Sequence, residues 1–236
     1  MRFSFPRQRR LVLWSCGAIL AILVVLFVTA VQRQRAAANR SVCAGRLTFI
    51  CTALHEYHDR NGRFPPAQIV DRQGRPMHSW RALILEFVDR DLFQLYDFSE
   101  PWDGPNNRKL AYRMPRPYSC PSDPDAATDG FTSYVVVVGH GAVFSPGQSA
   151  SMQEVSDPAN TILLVETAGT NIPWLEPKDL SLDDAALSVN DWSRPTIASR
   201  DSLGAGVCLV DGRKLRWEIL PQNVREMFMV RKPNSK

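Results

Sequence analysis

His55 and His58 flank Glu56 and Tyr57, so both histidines share one face of any helix that carries them. Zinc is the chemistry such a pair could serve, but a helical hydrolase site needs His-Glu-x-x-His and a further ligand. This segment has three-residue spacing, and the expectation is a solvated helix face. His140 lies between Gly139 and Gly141 with no Gly-x-Ser-x-Gly elbow nearby, which reads as a tight turn after a strand. Carboxylates gather in two loops, Asp123, Asp125 and Asp129 before Gly130, and Asp179, Asp183 and Asp184 further on. Oxygen-rich loops of this kind could hold Ca²⁺, although the spacing matches no EF-hand. Trp102, Trp174 and Trp192 fall outside the periodic segments, where they could line a sugar-binding surface or plug the edge of a small core. There is no phosphate-cradling Gly-rich loop, no paired-cysteine zinc motif and no triad order. No catalytic residue, resident metal or cofactor is therefore assigned, and an enzyme is not expected.

The elements that would position these residues begin at a membrane. Leu11 to Val31 is a run of 21 residues without a charge. At about 1.5 Å per residue it rises about 31 Å, enough for a hydrocarbon core roughly 30 Å thick. Arg2, Arg7, Arg9 and Arg10 precede the run, and Arg33, Arg35 and Arg40 follow it. With the amino terminus, the bias favours N-in, C-out. The expectation is a single-pass membrane protein with a cytoplasmic basic segment (1–10), a transmembrane helix (11–31) and the remainder outside the cytoplasm. The alternative is a cleaved signal peptide, since Val28-Thr29-Ala30 fits a small-x-Ala site, but the apolar run exceeds the usual h-region. Residues 1–40 hold seven arginines and no acid; removing them from the 28 basic residues leaves 21 against 24 acids in residues 41–236. The basic balance belongs to the anchor, and a nucleic-acid partner is not expected.

The cysteines are Cys16, Cys43, Cys51, Cys120 and Cys208. Cys16 sits in the apolar run, and outside the cytoplasm the other four can oxidise. Cys43 and Cys51 lie about 12 Å apart along one predicted helix, too far to pair. Cys120, in a turn-rich loop, is where a staple would hold a loose segment, so Cys43–Cys120 is the favoured disulfide; four free thiols is the alternative.

Leu47, Ile50, Cys51, Leu54 and Tyr57 form one helical stripe, ended by Asn61-Gly62 and Pro65-Pro66. This predicts a single helix from the membrane to about residue 60, with residues 32–62 as a stalk packed on a globular part. Ser79 is a candidate N-cap for a second helix with Trp80, Leu83, Ile84, Phe87 and Val88 on its inner face, and weaker helical signal resumes at Asp91–Tyr96. Thr132–Val138, Thr161–Val165, Val207–Val210 and Lys214–Ile219 read as strands, the last two joined at Asp211-Gly212 as a two-residue hairpin. Long Pro/Asp/Asn/Gly-rich stretches at 97–131 and 168–202 are expected to be functional, clamped or mobile. Residues 63–236 read as one α+β domain with an antiparallel sheet.

A set of segments resembles the bacterial "domain of unknown function 1559" family. They are Cys43, Ala53-Leu54-His55-Glu56-Tyr57-His58-Asp59, Gly62-Arg63-Phe64-Pro65-Pro66, Ser79-Trp80-Arg81, Leu95-Tyr96-Asp97 and Ser99-Glu100-Pro101-Trp102-Asp103. Further on come Tyr118-Ser119-Cys120-Pro121-Ser122-Asp123, Asn160-Thr161-Ile162-Leu163 with Glu166, Ile172-Pro173-Trp174, Glu176-Pro177, Asp179-Leu180 and Asp211-Gly212. The resemblance implies a pseudopilin-like fold, a long N-terminal membrane helix packed on a small antiparallel sheet, with no known catalysis, and it also supports the Cys43–Cys120 pairing. Two departures stand out. The run from Leu11 lacks the Glu and the preceding prepilin-peptidase site by which such helices are processed and assembled. The family's closing signature, His, nine residues, then Asp-Gly, meets Asp201 rather than His before Asp211 and Gly212. The expected function is a non-enzymatic, membrane-anchored envelope protein acting in structure or interaction, with other pilin-like or envelope proteins as partners and a link to secretion or pilus machinery. The alternative is an extracytoplasmic module for glycan or calcium.

Overall fold

The computed structural model describes residues 7–185 and 188–230. Residues 1–6 of the expected cytoplasmic segment, with Arg2, lie outside them. Helix α1 runs without interruption over Arg7–Asn61, 55 residues. It closes where the Gly62 N–H donates to the His58 carbonyl at 2.7 Å and the Asn61 carboxamide donates to the Tyr57 carbonyl at 2.8 Å. From Cys16 onward it is long and apolar enough to cross a membrane, and its apolar side chains stand exposed, Trp14 at 78% and Phe27 at 70%. The chain divides into two compact units, residues 1–39 and residues 40–236.

Within the second unit α1 turns amphipathic. Cys43, Leu47, Ile50, Cys51 and Leu54 are all buried, at the three- and four-residue spacing that puts them on one side of the helix. They meet a four-stranded antiparallel sheet in the order β10-β9-β7-β3. In chain order the strands are β1 (Gln68–Val70), β2 (Pro76–Ser79), β3 (Tyr134–Val135), β4 (Val137–Val138), β5 (Phe144–Ser145), β6 (Gln148–Ser149), β7 (Ile162–Glu166), β8 (Leu180–Ser181), β9 (Ala205–Leu209) and β10 (Lys214–Trp217). Strands β7 and β9 are buried along their whole length because both faces are covered. Tyr134, Leu164 and Cys208 join the core that contains the α1 stripe. Val135, Val165, Val207 and Leu209 join a second core with Ile197, Val224 and Phe228.

The chain departs from the sequence pattern in three places. Thr132–Val138 is two strands in two sheets, because the Val136 N–H donates to Asp179 Oδ1 (3.1 Å) and its carbonyl accepts from Leu180 (3.3 Å). That pulls β4 into a second, mixed sheet ordered β6-β5-β4-β8, in which β4 runs parallel to β5 and β8. The helix expected from Ser79 is broken at Ile84 into α2 (Trp80–Leu83) and α3 (Leu85–Val88), and the Ser79 hydroxyl makes no cap. The working cap is Asp89, which accepts from Leu92 N at 3.0 Å ahead of α4 (Arg90–Leu95). The β9–β10 connection is longer than two residues. Leu209 accepts from Gly212 N and donates to the Arg213 carbonyl, with Gly212 at φ 86°, a conformation that glycine adopts without steric penalty.

If α1 organises this core, Ile50→Ala should cost about 2–5 kcal/mol of unfolding free energy. Phe49→Ala, one position along and 45% exposed, should stay within about 0.5 kcal/mol of the parent. Urea unfolding of the full chain in detergent compares them, and equal costs would show that the stripe is not the buried side.

Candidate functional site

Cys43 lines a cleft of about 200 Å³, with Cys120 bonded to it from outside the lining and Asp201 connected to it through Arg216. Helix α1 lines it with Cys43, Ala44 and Leu47, β7 with Glu166, β9 with Gly206 and β10 with Lys214, Leu215 and Arg216. Cys43 and Cys120 are disulfide-bonded, S–S 2.00 Å and Cα–Cα 4.9 Å, across 77 residues of sequence. An oxygen of buried Glu166 and both sulfurs lie within 4.8 Å of one another. The Glu166 carboxylate accepts from Gly206 N at 2.8 Å and from Ser199 Oγ at 2.9 Å. Burial pushes its pKa up, against the pull of those two bonds and of the Arg216 guanidinium. Gly206 packs closely here: a Cβ would stand 3.2 Å from both Glu166 Oε2 and Leu47 Cδ2, tighter than an ordinary van der Waals contact.

Asp201 continues the network. Its backbone N–H donates to Ser199 Oγ at 3.1 Å, and its carboxylate accepts from Arg40 Nε at 2.9 Å and lies 3.7 Å from Arg216 Nη1. With two acceptor oxygens, the Asp201 carboxylate accepts from Arg40 and faces Arg216 at the same time. Asp211 and Gly212 sit at the far end of the hairpin. There Asp211 accepts from Arg213 N and Nε (3.0 and 2.6 Å), so these residues shape β9 and β10 without entering the cleft. Arg46 Nη1 donates to the Ser119 carbonyl at 2.7 Å, and Tyr134 OH donates to the Cys43 carbonyl at 2.8 Å. With the disulfide closed, both sulfurs are bonded to each other and the Glu166 oxygens are engaged. The arrangement therefore braces α1 against β7, β9 and the 119–120 loop rather than presenting a nucleophile.

A second disulfide, Cys51–Cys208, joins α1 to β9 over 157 residues, Cα–Cα 6.8 Å. The pairing is not legible from spacing, although Cys51 lies on the predicted inner stripe and Cys208 in a predicted strand. Cys16 is free and exposed. His55 bridges the same two elements, its ring nitrogens 2.8 Å from the Cys51 and Val210 carbonyls. His58 Nε2 accepts from Met152 N at 3.0 Å. The helix face expected to be solvated is thus turned into the fold, with His58 buried and His55 partly so. His140 is exposed in the turn that the Ala142 N–H closes onto the Gly139 carbonyl at 3.1 Å.

The carboxylates expected to offer a calcium loop are dispersed. Asp179 is wholly buried and ion-paired with Arg81 at 2.7 Å, and its Oδ1 also accepts from Trp80 Nε1 at 3.0 Å. Burial pushes its pKa up to about 6 against the pull of Arg81. Asp183 pairs with Arg225, Asp184 accepts from Ser181 Oγ at 2.6 Å, Asp125 lies 3.7 Å from Arg200, and Asp129 is exposed. Asp123 is buried with Oδ1 unpartnered. Among the described residues no three of these carboxylates bring their oxygens together. The tryptophans also separate. Trp174 is core, stacked on Tyr118 and donating to the Ala111 carbonyl at 3.0 Å, because its loop is drawn under the 107–118 segment. Trp192 is 52% exposed with the Arg200 guanidinium 4.3 Å over its ring, and Trp102 is half-buried.

Two outcomes test this geometry. Non-reducing mass spectrometry should find Cys43 linked to Cys120 and Cys51 linked to Cys208; alkylation of all four without reductant would sink both pairings. Glu166→Gln removes a carboxyl that holds its proton to higher pH in the folded state than in the unfolded one. The stability contributed by that raised pKa is present at low pH and is lost as pH rises. Wild type should therefore lose stability relative to Glu166→Gln in denaturant titrations as pH rises above the ordinary glutamate range of about 4. Parallel curves would mean that the carboxyl is not shifted.

A family model described as "Protein of unknown function (DUF1559)" matches residues 32–171, more than half of the chain. The matched span includes Cys43, Cys120 and Glu166 and ends before Asp201 and the Asp211-Gly212 turn. No curated protein and no solved structure matches.

Proposed function

The chain belongs to the DUF1559 family, and we propose that it is a non-enzymatic envelope protein held in the bacterial inner membrane by residues 11–31. In this reading residues 40–236 lie outside the cytoplasm and act in structure or interaction, in the manner of a pseudopilin that is anchored rather than assembled. The observation that carries it is the change of role along α1. The same helix supplies an exposed apolar run and then, from Cys43, the buried stripe of a folded unit. Both disulfides of that unit favour an oxidising compartment, which supports the N-in, C-out orientation. The engagement of Glu166, Asp201 and Asp179 in bonds within the fold supports a structural reading of the buried polar groups. The missing Glu in the apolar run favours an anchor over a filament subunit. Partners are then other pilin-like or envelope proteins, with secretion or pilus machinery the candidate setting.

Membrane fractionation with sequencing of the mature amino terminus tests the reading. The expected result is a carbonate-resistant membrane protein that retains residues 11–31. A soluble mature protein starting at Val31 would overturn it.

A further inference from the structure

With Trp174 in the core and Trp192 covered by Arg200, Trp102 is left in a different setting. A groove of about 700 Å³ runs between the β1–β2 hairpin and the 99–103 loop, within the range of roughly 300–1,000 Å³ typical of small-molecule sites. Its apolar lining is Pro76, Met77, Pro101 and Trp102, and its polar lining includes Arg72, Gln73, Ser99 and Asp103. The two walls are joined where Trp102 N donates to the Met77 carbonyl at 2.8 Å.

Each wall is braced from within. At the hairpin tip Asp71 accepts from Gln73 N, Arg75 N and Arg75 Nε at 2.8, 2.9 and 2.6 Å. Behind the other wall, buried Asn107 donates to the carbonyls of Asp97 and Pro101 at 2.8 and 3.1 Å, and Glu100 accepts from Asn106 N and Asn107 N at 2.7 and 2.6 Å. A groove held this way is already formed before a ligand arrives, so little binding energy is lost to ordering it. Two groups are left over. Arg72 and Asp103 are exposed and, among the described residues, make no hydrogen bond or ion pair.

One unpaired cation and one unpaired anion beside a carboxamide give the groove donors and acceptors with no net charge. An anionic ligand would face Asp103 and a cationic one Arg72, whereas vicinal hydroxyls donate and accept at once. Trp102 packs partly against the core, and the part of it left exposed to the groove, with the two prolines, supplies the apolar surface on which the C–H face of a pyranose ring packs. We propose that this groove binds a neutral oligosaccharide, with Trp102 as the stacking surface and Arg72 and Asp103 as the hydroxyl-binding pair. The inference concerns residues 71–103 alone and holds whether or not the anchor is retained.

The test uses the full chain in a non-glycoside detergent, with a neutral N-acetylglucosamine tetramer, a neutral glucose tetramer, a polyuronate tetramer and a proline-rich decapeptide as probes. Calorimetry should give saturable 1:1 binding of at least one neutral tetramer. Arg72→Ala and Asp103→Ala should each weaken it roughly tenfold or more, as loss of a hydrogen bond to a charged group does. Both side chains are exposed, so the thermal midpoint should not move. Trp102→Ala should abolish binding, Trp102→Phe should retain part of it, and Trp192→Ala should leave it unchanged. Absence of binding to both neutral tetramers, preference for the polyuronate or the peptide, or indifference to Arg72→Ala and Asp103→Ala would each overturn the proposal.

Discussion

Residues 43–55 of α1 carry four kinds of attachment on one side: an apolar stripe, two disulfides, a histidine bridge and carbonyl bonds to neighbouring loops. The stripe, the Cys51–Cys208 disulfide and the Tyr134 bond act on the β3-β7-β9-β10 sheet and the Cys43–Cys120 disulfide on the 119–120 loop, so the position of both depends on the helix. In the chain-entropy picture a disulfide closing a longer loop removes more freedom from the unfolded chain, and the two here close 77 and 157 residues. Without them the loops at 97–131 and 168–202 would have to be ordered by a modest core alone.

Buried polar groups set the finer geometry. Arg81 and Asp179 are both shielded from water, and an ion pair in that setting stabilises little beyond its own desolvation while leaving either partner alone would be costly. What it does specify is position. Asp179 takes the Val136 N–H, which moves the chain from one sheet to the other, while Arg81 donates to the Lys178 carbonyl at 3.2 Å. Tyr118, donating to the Arg81 carbonyl at 2.8 Å, ties the Cys120 loop to the same centre. Many of the residues that carry the family resemblance, including Trp80, Arg81, Tyr118, Trp174 and Asp179, therefore form one buried assembly.

Beside Glu166, Asp201 stands between Arg40 and Arg216, so carboxylate and guanidinium charges alternate along this network. Arg40 is the first residue of the second unit, and its pairing with Asp201 reaches across 161 residues.

The helix, its buried stripe, its stop at Asn61, the strands β3, β7, β9 and β10 of the main sheet and the membrane-length run were legible from the chain alone, because each depends on local periodicity or turn chemistry. The Cys43–Cys120 pair could be proposed because only one of its cysteines lies on the helix and the other sits in a loop that needs holding. The Cys51–Cys208 pair could not, since connectivity among distant cysteines is set by which surfaces meet. Trp174, Trp102 and Trp192 look alike as loop aromatics, and Asp179 looks like any loop acid. Only the tertiary structure separates a core plug, a groove wall, an Arg-stacked ring and a buried ion pair, because burial and partner identity come from segments far away in sequence.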